Sequence, residues 1–121
     1  MLAKTSARAR LAAFAWAALA VQLAVLYVPR LPSTVPSGPP GLDKVVHAAI
    51  FAVAGWAWAR LWPRWRWLVA TAFVAQGLIS EFVQWRFLPG RSGDLWDLAS
   101  DLVGLALGLW LAWRWRFPPT D

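Results

Sequence analysis

The sequence predicts an all-α integral membrane protein: a single domain over residues 1–121, folded as a bundle of four antiparallel transmembrane helices. Three observations carry that prediction. Four apolar stretches each approach the roughly 20 residues needed to cross a bilayer core. The composition is 60% hydrophobic and only 15% charged, more apolar surface than a water-soluble chain of 121 residues could hide. Finally, five of the six acidic residues (Asp43, Glu81, Asp94, Asp97 and Asp101) fall at one end of the apolar stretches, together with His47, the only histidine. A charge at bilayer depth is costly unless it is paired, hydrated or neutralised. Acids gathered at one depth therefore mark a polar site.

The first span is expected from Leu11 to Val28, behind the basic head Lys4, Arg8 and Arg10. A cleavable signal peptide would open in the same way, and Ala18-Leu19-Ala20 offers a small-x-small site, but the apolar run continues to Val28 and is long enough to span. From Pro29 to Gly41 the chain carries Pro29, Pro32, Pro36, Pro39 and Pro40, a density that blocks helix and ladder pairing, so an extended loop outside the membrane is expected. The second span runs from about Val45 to Trp62. The turn Pro63-Arg64-Trp65-Arg66 is so short that the third span, Trp67 to Phe87, should return beside the second. Pro89-Gly90 and Gly93 break the chain before a fourth span, Leu95 to Trp113.

Basic residues set the orientation. With the N-terminus inside, the cytoplasmic segments hold Lys4, Arg8, Arg10, Arg60, Arg64, Arg66, Arg114 and Arg116, and the outer side holds Arg30, Lys44, Arg86 and Arg91. Eight against four places both termini in the cytoplasm and the acidic cluster on the extracytoplasmic side. The net charge of +6 does not point to nucleic acid, because the basic residues flank apolar segments and form no stripe on a soluble face. Arg64-Trp65-Arg66-Trp67 and Trp113-Arg114-Trp115-Arg116 read as interfacial anchors, with indoles at headgroup level. No cysteine is present, which excludes disulfides, thiolate ligands and cysteine nucleophiles.

Depth and facing bring the polar residues together. Gly41 to His47, Glu81 to Phe87 and Leu95 to Asp101 are each six residues, which puts the three polar groups about 9 Å inside the outer boundary at 1.5 Å per residue. On the second helix Asp43, His47 and Ala54 share a face, on the third Gly77, Glu81 and Gln84, and on the fourth Asp94, Asp97, Asp101, Gly104 and Gly108. The last two glycines form a GxxxG pair that admits another helix at close range, so the acidic face of the fourth helix is also its packing face. Simpler roles exist for some of these groups. Asp43 or Asp94 could cap a helix, Asp94 could pair with Arg91, His47 could donate to Glu81 or an aspartate, and Gln22 could hydrogen-bond between helices. No cap explains Asp97 or Asp101.

These motifs resemble those of the VanZ-like family. Asp43-Lys44-Val45-Val46-His47 with Phe51 is similar to the family's D-K-x-x-H-x-x-x-F, and Glu81-Phe82-Val83-Gln84 to its E-x-x-Q. Leu88-Pro89-Gly90-Arg91, Asp94, Asp97, Asp101, Gly104 and Gly108 resemble its P-G-R-x-x-D-x-x-D-x-x-x-N-x-x-G-x-x-x-G segment. The likeness runs from Asp43 to Gly108, and Asp101 departs from it by placing a carboxylate where the family usually carries asparagine. The resemblance implies a small multi-pass protein of the bacterial cytoplasmic membrane and cell envelope. The family takes its name from a member associated with low-level teicoplanin resistance.

Two functions compete. In the first, the outer polar site binds a lipid-linked envelope precursor and alters what glycopeptides such as teicoplanin reach. Its ligand-binding candidates are Asp43, Lys44, His47, Glu81, Gln84, Arg86, Arg91, Asp94, Asp97 and Asp101, with Arg86 and Arg91 suited to phosphate or carboxylate. In the second, the protein is a membrane-embedded hydrolase or transferase acting on a lipid-linked headgroup. His47, Glu81, Asp97 and Asp101 are then the catalytic candidates, with Arg91 stabilising developing negative charge. Asp43, His47, Glu81, Asp97 and Asp101 could alternatively ligate a divalent cation such as Mg²⁺ or Mn²⁺. No established catalytic signature such as HExxH or GxSxG occurs. Transport is disfavoured by four helices without an internal repeat.

Overall fold

A computed structural model describes residues 6–27, 41–88 and 95–114. Four helices account for nearly all of them: α1 (Ala7–Tyr27), α2 (Leu42–Leu61), α3 (Arg66–Phe87) and α4 (Leu95–Arg114). No strand occurs among the described residues. Each helix is long and apolar enough to cross a membrane, since 20 residues rise about 30 Å. The Pro29–Pro40 stretch lies outside the described residues, as do Arg91 and Asp94.

Helix starts account for the main differences from the expected spans. α1 begins four residues before Leu11 because Ser6 caps it: its hydroxyl accepts the Ala9 N–H at 3.1 Å, and its carbonyl accepts that of Arg10 at 3.0 Å. Arg8 and Arg10 therefore ride on the first helical turns, exposed. α2 likewise begins at Leu42, three residues early. Gly41 takes φ 84°, a conformation that residues with a Cβ rarely adopt, and its carbonyl accepts the Val45 N–H at 3.2 Å. Gly41, and not Asp43, thus occupies the cap position, and Asp43 sits in the first turn. An acid there still complements the helix dipole. Pro63 stops α2 and opens a single 3-10 turn, Pro63–Trp65, that leads directly into α3.

The short link to α3 does not decide the closest packing. α2 lies nearest to α4, and Gly104 and Gly108 are the reason. A Cβ at Gly104 would run into the Ala48 carbonyl, and one at Gly108 into that of Ala52. The two backbones touch because neither glycine has a side chain. Ala48 faces Gly104 and Ala52 faces Gly108, so positions rise together and α2 and α4 run in the same direction. α3 joins where Gly77 lies against the Phe51 ring and the Leu98 side chain, and through an edge-to-face contact of Phe51 with Phe73.

α1 packs through Ala15 and Leu26 in the core and through edge-to-face contacts of Phe14 with Trp56 and Trp16 with Trp58, and polar contacts add to these. The buried Trp58 indole donates to the Ala15 carbonyl at 3.1 Å, and Gln76 donates to Gln22 at 3.2 Å. Gln84 donates to the Leu26 carbonyl at 2.6 Å. Leu26 lies in the last turn of α1, where carbonyls lack intrahelical partners. In lipid such a group needs a substitute, and a side chain from α3 supplies it.

Apolar side chains cover the outside as well as the core, and several polar groups lie within. Trp16, Leu68, Leu78, Ile79, Phe82 and Val103 are exposed, whereas Gln22, His47, Ser80, Gln84, Asp97 and Asp101 are buried. At the opposite end from the acids, Arg66 lies over the rings of Trp67 and Trp113 at 5.8 and 5.4 Å, and Arg114 over Trp110 at 5.6 Å. These pairs place indole and guanidinium together at one boundary.

Candidate functional site

The contact between α2 and α4 assembles the site. With Ala48 on Gly104, the residue just before Ala48 meets the turn just before Gly104, which brings His47 to Asp101. His47 Nδ1 and Asp101 Oδ1 are 2.7 Å apart, both residues essentially without solvent contact. One turn nearer the helix starts, Lys44 donates to Asp97 Oδ1 at 2.7 Å and to Asp43 Oδ2 at 3.1 Å. Two polar layers result, stacked one helical turn apart on the same pair of helices.

α3 supplies the third side of the deeper layer. Gly77 rests on Phe51, one turn from His47 along α2; the next turn of α3 in the direction of the acids carries Glu81. One ligand-type atom from each of His47, Glu81 and Asp101 lies within 4.8 Å of the other two. The second oxygen of Asp101 is buried and has no hydrogen-bond partner among the described residues. Two carboxylates and an imidazole converging inside a helical bundle can accept hydrogen bonds, exchange a proton or hold a cation.

The sequence candidates divide by position. His47, Glu81 and Asp101 meet, and Asp97, Asp43 and Lys44 form the layer beside them. Gln84 is engaged elsewhere: its amide binds the α1 carbonyl, so it ties the bundle together. Arg86 is exposed with its guanidinium 5.6 Å from the Phe87 ring. Ala54 is fully buried, on the same helix face as His47.

Gln76 and Trp58 are polar partners that periodicity did not single out. Gln22 was a signal for the first, because a lone amide in an apolar span needs a partner and Gln76 is the matching amide. Nothing in the pattern marked Trp58, since a tryptophan in a tryptophan-rich span reads as apolar.

Searches of curated proteins and of solved structures find no match to this chain. The VanZ/LLP1 family model matches residues 3–116. That span takes in all four helices and both polar layers, so this four-helix membrane protein belongs to the VanZ/LLP1 family.

Proposed function

We propose that this protein sits in the bacterial cytoplasmic membrane with both termini in the cytoplasm, and that its paired polar layers bind the headgroup of a lipid-linked cell-envelope precursor at the outer leaflet. Occupying that precursor would change what a glycopeptide such as teicoplanin can reach. One observation carries the reading: the carboxylates of Glu81 and Asp101 meet His47 inside the bundle, next to a lysine held between two aspartates. Charged groups at this depth ordinarily serve a ligand, an ion or a proton. Lys44 is 31% exposed by its side chain, so an ammonium group stands at the rim, where it can meet a phosphate. Asp43 and Asp97 orient it.

The test is binding and phenotype measured on the same variants. Wild-type protein in lipid nanodiscs should retain a lipid-linked muropeptide precursor, detected by native mass spectrometry, and its expression should shift teicoplanin susceptibility. Glu81→Gln and Asp97→Asn should lose both while inserting and melting close to the parent. Variants that bind the precursor and protect as well as the parent would end the headgroup reading.

A second reading, an embedded hydrolase or transferase, draws on the 2.7 Å His47–Asp101 pair. A carboxylate that fixes an imidazole tautomer and leaves its other nitrogen available is an acid–base arrangement, and Glu81 is the second titratable group within reach. Turnover of the precursor by wild type, and none by His47→Gln, would select this reading over binding alone.

A further inference from the structure

We propose that His47, Glu81 and Asp101 form a binding site for a divalent cation of the Mn²⁺ or Zn²⁺ class. The sequence offers five candidate ligands, and geometry reduces them to three. Asp97 and Asp43 share the Lys44 ammonium, at 2.7 and 3.1 Å, and an ammonium between two carboxylates repels a second cation. The deeper layer has a different composition. Its three groups come from three helices, α2, α3 and α4, and their ligand atoms fall within 4.8 Å of one another. Ligands around one such ion stand roughly 3–4 Å apart, given metal–ligand bonds of about 2.0–2.2 Å. Small side-chain rotations close the remaining gap.

A second observation points to a ligand. Asp101 is fully buried, yet only one of its oxygens is used, by His47; the other has no hydrogen-bond partner among the described residues. A buried carboxylate oxygen left without a donor is costly. Its surroundings include an imidazole and a second carboxylate, groups that a metal ion would draw together. With the His47 proton on Nε2, the Nδ1 lone pair faces Asp101, and a metal bound there replaces the hydrogen bond between them and is shared by nitrogen and carboxylate. One nitrogen and two carboxylates suit Mn²⁺ or Zn²⁺ better than Mg²⁺, which prefers all-oxygen shells. Three protein ligands leave further positions for water or for a phosphate oxygen. The assignment does not rest on the headgroup reading, because the ion is tested alone.

The experiment uses the full-length protein, purified in detergent without chelator. Bound metal is read by elemental analysis, and Mn²⁺ and Zn²⁺ are titrated into chelator-treated protein while its melting temperature is followed. About one ion per chain and a metal-dependent rise in melting temperature are expected. Glu81→Gln and Asp101→Asn should weaken Mn²⁺ binding by about tenfold or more, whereas Ser100→Ala, at a hydroxyl that donates to the Trp96 carbonyl of its own helix, should bind as the parent does. Pulsed electron paramagnetic resonance of the Mn²⁺ form should show modulation from one directly bound imidazole nitrogen, absent in His47→Gln. If Asp101→Asn fails to fold, Glu81→Gln still decides, because its metal-free melting reports folding separately. Parent protein that neither carries nor responds to either ion overturns the proposal. So does unchanged Mn²⁺ affinity in Glu81→Gln, or a spectrum without a nitrogen ligand.

Discussion

His47 and Asp101 are a pair in which each group's state depends on the other. Asp101 is fully buried and His47 nearly so, with 2.7 Å between nitrogen and oxygen. Replacing His47 by leucine leaves the buried carboxylate without its donor. Breaking a buried pair in this way costs about 3–5 kcal/mol. Denaturation of His47→Leu in chelator should show a loss of that order, and the double variant His47→Leu, Asp101→Leu should recover much of it, since no charge is then stranded. Lys44 and Asp97 should behave more mildly. Lys44 keeps Asp43 as a second partner and is partly solvated, so Asp97→Asn should cost less than His47→Leu. Equal losses in the two single variants would mean that the two layers are equally dry.

At the scale of helices, the close approach of α2 and α4 depends on two absent side chains. Leucine at Gly104 or Gly108 would be driven into α2 backbone at Ala48 or Ala52, where no side chain can rotate away. Each substitution should destabilise by at least the 1–3 kcal/mol typical of overpacking, roughly, and should also separate His47 from Asp101. Detergent melting temperatures report the first effect. The second would appear as loss of metal response in a variant that retains all three ligands. Gly77→Leu should act on α3, because its side chain would meet Phe51 and Leu98. Gln84→Leu tests the tie to α1: it removes the donor to Leu26 and should cost about 0.6–2 kcal/mol, the range for hydrogen bonds between membrane helices. A neutral effect of Gln84→Leu would mean that the apolar packing of α1 and its contacts with Trp58 and Gln76 suffice to hold it.

For the whole molecule the decisive question is which side of the membrane the polar layers face. The count of eight basic residues against four predicts that they face outward. Single cysteines at Ser37 and Thr120, in a chain with no native cysteine, should react with an impermeant maleimide from outside and only after permeabilisation, respectively. The reverse pattern would move the site to the cytoplasmic leaflet and end the outer-leaflet headgroup reading. It would leave the cation site untouched.

The sequence by itself determined four spans, the end of them at which acids collect, and the face of α4 that packs. Each follows from local physics: hydrophobic length, charge near a boundary, and small residues at helical spacing. Helix ends were less legible, because Ser6 and Gly41 act through hydrogen bonding and backbone conformation that a hydropathy pattern does not carry. Tertiary structure alone decided how the six polar residues divide. Asp97 and Asp101 share one helix face four residues apart, and nothing local separates their roles. The contact of Ala48 with Gly104 sets the register of α2 against α4, and that register gives Lys44 to Asp97 and His47 to Asp101. Gln84 likewise lies on the face of Glu81, yet it turns to α1, because a carbonyl at the end of that helix needs a donor where there is no water. Partner choice depends on the relative placement of helices distant in sequence, and one helix's periodicity does not contain it.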